Sequence, residues 1–466
     1  MLTKIIGILA ALSLMAPMSG RAVDVPAGST SPNVRHIKHL QVGTGVGGVF
    51  VGKHYYLSAA RSGFFLPGGP GTGGIIAFDT TNPRNPIPVG MLPLPHTQNE
   101  DVEVSEKRNL LLVVQDRRKS VSQVATSPII GGILYVIDIS NRSQPVLTST
   151  LQLPAEVAKT SEGVPLGGPG HTASCIADCN FAWISGSRDR AVHVVDLRDL
   201  AAPALLGVIP TPAGADNTGY GAPGVVHDVH VDRFGSVLVA GSGGTAMYEL
   251  TADPLKPRLI ASVRPSDNDR LNGLIHHGAL RYSADLVLVG EEDYGDSACG
   301  NSDPTNQDGS LQIWRIDRAA KVLRPVSTWD VTLADDLSKA LADSVGLTCS
   351  SHWFDVNRHS VVADAWYEMG VRFLDIRSPA TIRQVGYFVG TNSAASQARF
   401  HPGDSSVVYV ADYNRGLDVI EIANGGHGAA TISVPPAALL AAHQGIRFGL
   451  APDPEWGYAC RQTPGI

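Results

Sequence analysis

The sequence is poor in charged residues and has no cluster of basic residues. Charged side chains make up 17% of its 466 residues, and the formal net charge is −7. A polyanion needs a concentration of positive charge to bind, so this balance excludes nucleic acid as a partner. The 43% share of hydrophobic residues predicts a folded globular protein rather than a disordered chain.

The sequence also lacks an apolar run long enough to span a membrane. Its first residues, MLTKIIGILAALSLMAPMSGRA, have a cation at Lys4, an apolar stretch at 5–15 and small residues around a cleavage site at 20–22. This is the pattern of a secretory signal peptide, which we assign to residues 1–22. A membrane-spanning helix needs about 20 apolar residues, so no transmembrane anchor is expected. We therefore predict export to the periplasm, the cell surface or the extracellular space.

Cysteine is scarce, and its count of 5 is odd. In an exported protein, disulfides are expected in preference to metal thiolates. Cys175 and Cys179 lie four residues apart in CIADC, a spacing that can close across a tight turn. We predict that they pair, and that Cys299 pairs with Cys349 to join two long loops. The partner of Cys460 is left open.

Glycine and proline are abundant, with 50 and 31 residues, and they punctuate a repeat. Each repeat has an apolar β-run that ends near a marker residue, a short turn that often holds proline, and another strand. Two further strands precede each marker, so a unit has four strands. The marker recurs about every sixty residues, and no helix intervenes. The marker positions are Asp79, Asp138, Asp196, Glu249, Arg315, Asp375 and Glu421.

These units predict an all-β fold, a seven-bladed β-propeller of four-stranded antiparallel blades over residues 31–435. The segment NVRHIKHLQVG, residues 33–43, reads as a single strand without its three partners. We expect this N-terminal strand to complete the last blade and close the ring, which leaves no exposed sheet edge. Residues 436–466 would then form a C-terminal extension.

The runs LYVIDIS, VHVVDLR and VRFLDIR resemble the LVIVD repeat of bacterial secreted and cell-surface propellers. The resemblance covers nearly the whole mature chain. It implies the propeller fold and export, but that family has no agreed biochemical role. More distantly, the chain is similar to the selenium-binding and methanethiol oxidase propellers, a likeness that implies a metal.

Loop length distinguishes the two faces of the predicted disc. The connections on one face are short, whereas those on the other include RSGFFLPGGPGTGG, DRRKSVSQVATSPIIGG and EDYGDSACGNSDPTNQDGS. Loops of this length in a compact domain usually carry function. The first hypothesis is therefore a non-catalytic exported binding module. Its loop-rich face would bind an extracellular macromolecule, a glycan or a small molecule.

Histidines recur where the innermost strand of a blade begins, on the same loop-rich face. Because these strands surround one axis, we expect the histidines to gather at the mouth of the central channel. Neutral imidazoles that converge in this way can bind iron or copper, as a four-histidine site does in the carotenoid oxygenases. Carboxylates at the same mouth, Glu100 and Glu292, are candidates for a base or a supporting role. The metal candidates are His171, His227, His276, His277 and His352.

The second hypothesis is accordingly an iron- or copper-dependent oxidase or lyase that acts on a small molecule. Histidine is also a comfortable lining for a wet channel, and a purely structural envelope protein is a third alternative. The sequence has no His-x-x-x-His ligand motif, no phosphate-binding loop and no nucleophile elbow. DSACGNSDPTNQDGS lacks the spacing of a calcium loop. These absences leave the histidine cluster as the main candidate site.

Overall fold

A computed structural model of the protein describes residues 28–60, 73–94, 102–115, 131–155, 170–186, 190–215, 224–264, 275–292, 309–331 and 350–442. Several predictions fall outside these described residues, namely those for the signal peptide at 1–22, Glu100, Cys299, Cys349 and Cys460. No helix within the described ranges is long and apolar enough to cross a membrane.

Nearly all regular structure in these ranges is β-strand. Two strands come first, β1 (Ser29–Thr30) and β2 (Val34–Leu40). The strands that follow form antiparallel sheets of four, which we call groups and number in chain order. Group 1 contains β3 (Thr44–Val51), β4 (His54–Ala60), β5 (Gly73–Asp79) and β6 (Ile87–Leu94).

The next three groups repeat this order. Group 2 contains β7 (Val102–Ser105), β8 (Leu110–Gln115), β9 (Gly131–Asp138) and β10 (Val146–Ala155). Group 3 contains β11 (Ala173–Ile176), β12 (Phe181–Ile184), β13 (Ala191–Asp196) and β14 (Ala204–Pro210). Group 4 contains β15 (Val226–Val231), β16 (Ser236–Gly241), β17 (Gly244–Glu249) and β18 (Arg258–Val263).

The last three groups follow the same pattern. Group 5 contains β19 (Ile275–Arg281), β20 (Leu286–Glu292), β21 (Leu311–Asp317) and β22 (Val322–Trp329). Group 6 contains β23 (Phe354–Val356), β24 (Val361–Ala365), β25 (Val371–Asp375) and β26 (Arg383–Val389), with β1 added at its edge. Group 7 contains β27 (Ala395–His401), β28 (Asp404–Asp412) and β29 (Gly416–Ile422).

Apolar side chains on the two faces of each group pack against the neighbouring groups. Tyr56 of group 1 and Val113 of group 2 share one core, and comparable cores join each later pair. Tyr55 of group 1 packs with Tyr409 of group 7, so the packing runs in a cycle. The outer strands β18 and β22 also pair in parallel, which merges groups 4 and 5 into one sheet. Hydrogen bonding thus gives six sheets within the described ranges, and the number of seven blades stays a prediction.

The N-terminal strand completes group 7. β2 pairs antiparallel with β29, with Val34 opposite Ile422 and Leu40 opposite Leu417. This confirms the closing strand that was predicted from residues 33–43. Its pairing places the beginning of the described chain and the last strand of the repeats in one sheet, and no edge of β29 is left open.

The turn between β11 and β12 holds the Cys175–Cys179 disulfide, and the Cα atoms of the pair lie 4.3 Å apart. Ala177, Asp178 and Cys179 all have positive φ, at 51°, 56° and 62°. Residues with a Cβ seldom adopt this region, because it costs about 1–2 kcal/mol each. The turn is therefore a local distortion that the covalent link helps to hold.

The only α-helix longer than one turn in the described ranges is α1 (Pro436–Ala442). Leu439 and Ala442 of this helix pack with Trp329 and Val389, residues of groups 5 and 6. The predicted extension at 436–466 thus begins with a helix packed on the repeats. Residues 443–466 lie outside the described ranges.

Candidate metal centre

The first strands of several groups share a β-bulge at the same place. In β15 the register shifts between Val226 and Asp228, which leaves His227 as the extra residue. In β19 it shifts around His277 in the same way. A bulge adds one unpaired residue and re-aims its side chain. Corresponding shifts occur around Ser396 in β27 and Val46 in β3.

The carbonyl group of each bulge residue accepts a hydrogen bond from a side chain of the preceding group. His227 Nδ1 donates to the carbonyl of His277 across 3.0 Å. The carbonyl of His227 in turn accepts from Ser185 Oγ at 2.7 Å. His352 Nδ1 donates to the carbonyl of Ser396 at 2.5 Å, and Ser396 Oγ donates to the carbonyl of Val46. The bulges therefore link consecutive groups and orient the histidine rings.

These hydrogen bonds fix the tautomers of two histidines. A neutral imidazole that donates from Nδ1 carries a lone pair on Nε2. His227 Nε2 lies 3.0 Å from His171 Nε2 and 3.6 Å from Glu292 Oε2. His352 Nε2 lies 3.8 Å from Glu292 Oε1. The unprotonated nitrogens of two groups thus face the carboxylate that β20 carries at its end.

His277 joins the same cluster from β19. His277, Glu292 and His352 place one ligand atom each within 4.8 Å of the others. Its ring centroid lies 4.5 Å from that of His352 and 5.0 Å from that of His227. The side chains of the cluster are at most 2% exposed. We call His171, His227, His277, His352 and Glu292 the histidine–glutamate cluster.

Tyr367 supports the carboxylate of the cluster. Its hydroxyl donates to Glu292 Oε1, and its ring centroid lies 4.7 Å from that of His352. Tyr367 has a φ of 43°, a strained value for a bulky residue. Two backbone hydrogen bonds with Ala395 hold it there, at 3.1 Å and 2.9 Å. Backbone strain of this kind persists only where the surrounding structure holds it, and it occurs often at functional positions.

Trp353 borders the cluster. Its ring centroid lies 4.1 Å from that of His277 and 5.9 Å from that of His352. The ring packs where Gly278 has no side chain, since a Cβ there would lie 2.9 Å from Trp353 Cζ3 and 3.6 Å from Asp228 Oδ2. Trp353 Nε1 is buried and has no hydrogen-bond partner among the described residues. The indole is therefore a boundary of the cluster with one donor available.

His276, a further metal candidate, points away from the cluster. Its Nδ1 lies 2.8 Å from Thr245 Oγ1, and its ring contacts Trp314 at 5.6 Å between centroids. Burial lowers the pKa of His276 to about 3. The bulge at His277 explains the difference, because it turns one of two adjacent histidines toward the cluster and leaves the other between groups 4 and 5.

Two other carboxylates at the ends of second strands stay outside the cluster. Glu291 Oε2 accepts hydrogen bonds from Ser310 Oγ at 2.7 Å and from Gln312 Nε2 at 3.0 Å. Asp364 accepts from Ser351 and from the indole of Trp366. Burial raises the pKa of Asp364 well above its usual range, although these donors oppose the rise. These hydrogen bonds join both carboxylates to residues outside the cluster.

Comparisons with known proteins bear on the fold. A family model described as the LVIVD repeat matches residues 130–152 and 407–429. No curated protein matches the chain. Among solved structures, the periplasmic gluconolactonase PpgL of Pseudomonas aeruginosa is 12% identical with a TM-score of 0.52, and the alignment covers 74% of this chain and 85% of that one.

A protein from Lactobacillus plantarum is 9% identical with a TM-score of 0.55, over 82% of this chain and 97% of that one. The outer coat vertex of COPII on membranes gives 10% identity and a TM-score of 0.51, over 82% and 84% of the two chains. At such low identity these likenesses establish the fold alone. Together with the four-stranded groups and the matched repeats, they identify the chain as a β-propeller that carries LVIVD repeats.

Proposed function

We propose that the protein is an exported β-propeller that binds a transition metal ion, iron or copper, in the histidine–glutamate cluster. One observation carries the proposal. His227 and His352 each donate from Nδ1 to a backbone carbonyl and direct the other ring nitrogen at the Glu292 carboxylate. Metal-binding histidines in proteins are commonly oriented by this arrangement.

The distances support one shared ion. Two ligand atoms that each lie about 2.1 Å from an ion are no more than about 4.2 Å apart. The separations of 3.0 Å, 3.6 Å and 3.8 Å within the cluster all lie below this limit. Several imidazoles with one carboxylate form a donor set that suits iron and copper. A cation also compensates the negative charge of Glu292, which is costly to bury alone.

An iron or copper ion at this place supplies Lewis-acid or redox chemistry, which supports an oxidase or a lyase acting on a small molecule. The protein's own side chains have separate parts. Glu292 balances the positive charge, and the hydroxyl of Tyr367 holds one of its oxygens in place. The indole of Trp353 excludes water from one side and offers Nε1–H to an oxygen atom of the substrate.

Export is supported by the signal-peptide pattern of residues 1–22 and by the Cys175–Cys179 disulfide, since such bonds persist in oxidising compartments. The gluconolactonase of similar fold is periplasmic by its own description. Binding of a macromolecule or glycan by the loop-rich face stays a prediction, because those loops lie outside the described residues.

Metal analysis of the purified protein tests the proposal. We expect about one equivalent of iron or copper in the wild type, and a loss of most of it in His277→Ala. His276→Gln is the matched control, because it changes the adjacent buried histidine, which points away, and it should keep the metal. A wild type that binds neither ion after reconstitution would overturn the proposal, as would equal metal content in the two variants.

A further inference from the structure

A second layer of titratable side chains follows the histidine–glutamate cluster along the inner strands. We call His227, His352 and Ser396 the first layer. The second layer consists of the residues three positions later, His230, Asp355 and Arg399. At about 3.3 Å per residue, the two layers are roughly 10 Å apart along the strands. The residues belong to β15, β23 and β27, the first strands of groups 4, 6 and 7.

These three residues share one electrostatic environment. The positive charge of Arg399 acts on the pKa of both His230 and Asp355. The backbone N–H of Phe400, next to Arg399, also donates to Asp355 Oδ2 at 2.9 Å, so β23 and β27 are in contact there. Arg399 acts on Tyr55 as well, although burial dominates and raises the pKa of that phenol.

Arg399 is the unusual member of this layer. Among the described residues, its guanidinium makes no hydrogen bond and no ion pair, and its Nε is buried. Asp355 makes no ion pair with it; its two oxygens accept the backbone N–H groups of Val356 at 2.8 Å and Phe400 at 2.9 Å. Arg399 is partly exposed, and its guanidinium presents five donors in a fork that suits an oxygen anion.

The charge of Arg399 acts on two titratable neighbours, His230 and Asp355. Burial, together with the charge of Arg399, lowers the pKa of His230 to about 4, so His230 is neutral at pH 7. Burial raises the pKa of Asp355, against the opposing effects of Arg399 and the two backbone donors. Arg399 is therefore the one fixed positive charge of the layer, and Asp355 is its carboxyl group.

We propose that Arg399 binds a small oxygen anion beside the first strands of groups 4, 6 and 7, either a tetrahedral oxyanion such as sulfate or the carboxylate group of an organic acid. This site is separate from the histidine–glutamate cluster. Along the chain, Trp353 lies between His352 and Asp355, and Asp228 lies between His227 and His230. The side chains of Trp353 and Asp228 both lie beside Gly278. The anion site does not depend on a metal at the cluster.

Thermal unfolding of the full chain tests the site. Sulfate and acetate are added separately at constant ionic strength and pH 8, and the shift in Tm is compared between wild type and Arg399→Met. Sulfate stabilises folded proteins in general, so the difference between the two proteins is the measured quantity. We expect a Tm rise of several degrees in the wild type at saturating anion, and less than a quarter of that rise in Arg399→Met.

The two anions distinguish the two classes of ligand. A larger difference in Tm shift with sulfate identifies a tetrahedral oxyanion, and a larger difference with acetate identifies a carboxylate. Arg358→Met is the control, because Arg358 is exposed, and its Tm should shift as the wild type does. Equal shifts of wild type and Arg399→Met with both anions would overturn the proposal.

A second variant keeps the proposal testable if Arg399→Met does not fold. Asp355→Asn removes negative charge beside the bound anion and keeps one oxygen as an acceptor. We expect it to bind the favoured anion at least threefold more tightly than the wild type by calorimetric titration. Unchanged or weaker binding would contradict the placement of the anion. Metal content is measured in parallel and should be the same in wild type, Arg399→Met and Asp355→Asn.

Discussion

His227 donates its Nδ1 hydrogen to the carbonyl group of His277, the bulge residue of the next group, across 3.0 Å. The orientation of one ring is thereby set by the backbone of its neighbour. The bulge matters for this contact, because an unpaired carbonyl is needed to accept the hydrogen. Precision at the cluster therefore depends on backbone geometry that two groups share.

Gly278 provides the first prediction. A Cβ at this position would lie 2.9 Å from Trp353 Cζ3, so Gly278→Ala must displace the indole that borders the cluster. We expect a loss of about 1–3 kcal/mol in the free energy of unfolding, typical of overpacking, together with a lower metal content. Denaturant unfolding and metal analysis measure these effects. Gly235→Ala is the control for stability alone, since it has positive φ but open space around it; full metal retention in Gly278→Ala would contradict the prediction.

Tyr367→Phe should weaken metal binding and leave the fold intact. The change removes the hydroxyl that donates to Glu292 Oε1 and keeps the ring. Loss of a group that orients a metal ligand typically costs 10- to 100-fold in affinity. Competition with a chelator measures the change. Tyr282→Phe, beyond the far end of β19, should match the wild type, and an equal affinity in Tyr367→Phe would show that Tyr367 only fills space.

His276 should make the protein sensitive to acid. Its pKa in the folded protein, about 3, lies below the ordinary 6.5, so the unfolded chain takes up the proton first. Stability from this residue is complete above pH 6.5 and falls by roughly 1.4 kcal/mol per pH unit between pH 6.5 and 3. His276→Gln should show a shallower decline in urea unfolding at pH 7, 6 and 5. The exposed His427→Gln should keep the wild-type slope; an unchanged slope in His276→Gln would disprove this role.

The closing strand depends on one carboxylate. Asp418 of β29 accepts hydrogen bonds from His36 and His39 of β2 and from Arg415, at 2.6–3.0 Å. Burial alone raises the pKa of Asp418, but these donors outweigh it and hold the pKa well below its usual range.

Asp418→Asn should therefore cost about 3–5 kcal/mol, because it removes the carboxylate charge to which the buried Arg415 side chain is hydrogen-bonded. Chemical denaturation measures this loss. Arg35→Met is the control: Arg35 pairs with Glu421 in the same strand pair, but its side chain is 68% exposed, so its loss should cost less than about 1 kcal/mol. Similar costs for the two variants would refute the special role of Asp418.

The turn beside the disulfide offers a stabilising change. Ala177 has a φ of 51° and is exposed, so glycine relieves its backbone strain at little other cost. We expect Ala177→Gly to raise the free energy of unfolding by about 1 kcal/mol, measured as a higher midpoint in urea. Ala202→Gly, at an exposed turn position without positive φ, should lower it slightly. A lower midpoint for Ala177→Gly would show that the turn is not strained.

The sequence predicts the strands well because each repeat alternates with a period of two and ends in turn residues. The strand at residues 33–43 has no partner strands in its own repeat. Since the edge of the last blade must be covered in this fold, the sequence indicates that this strand pairs there. The gathering of histidines also follows from the strand order, because inner strands begin around one axis. His171, His227 and His352 lie together for this reason.

Finer features of the cluster have no signal in the sequence. A bulge decides that His277 rather than His276 joins the cluster, and alternation alone cannot locate a bulge. In the structure, His227 and His352 each lie five residues before a turn residue, Asp232 or Asn357. Tyr367 reaches Glu292 through a positive φ that no neighbouring glycine or proline indicates.

The pairing of β2 with β29 also constrains when the molecule becomes complete. His36 and Asp418 are 382 positions apart, and bringing together chain ends at such a separation costs about 5 kcal/mol in entropy. The contact forms only after almost the whole polypeptide is available, so a partly synthesised chain lacks the pair of strands that completes group 7.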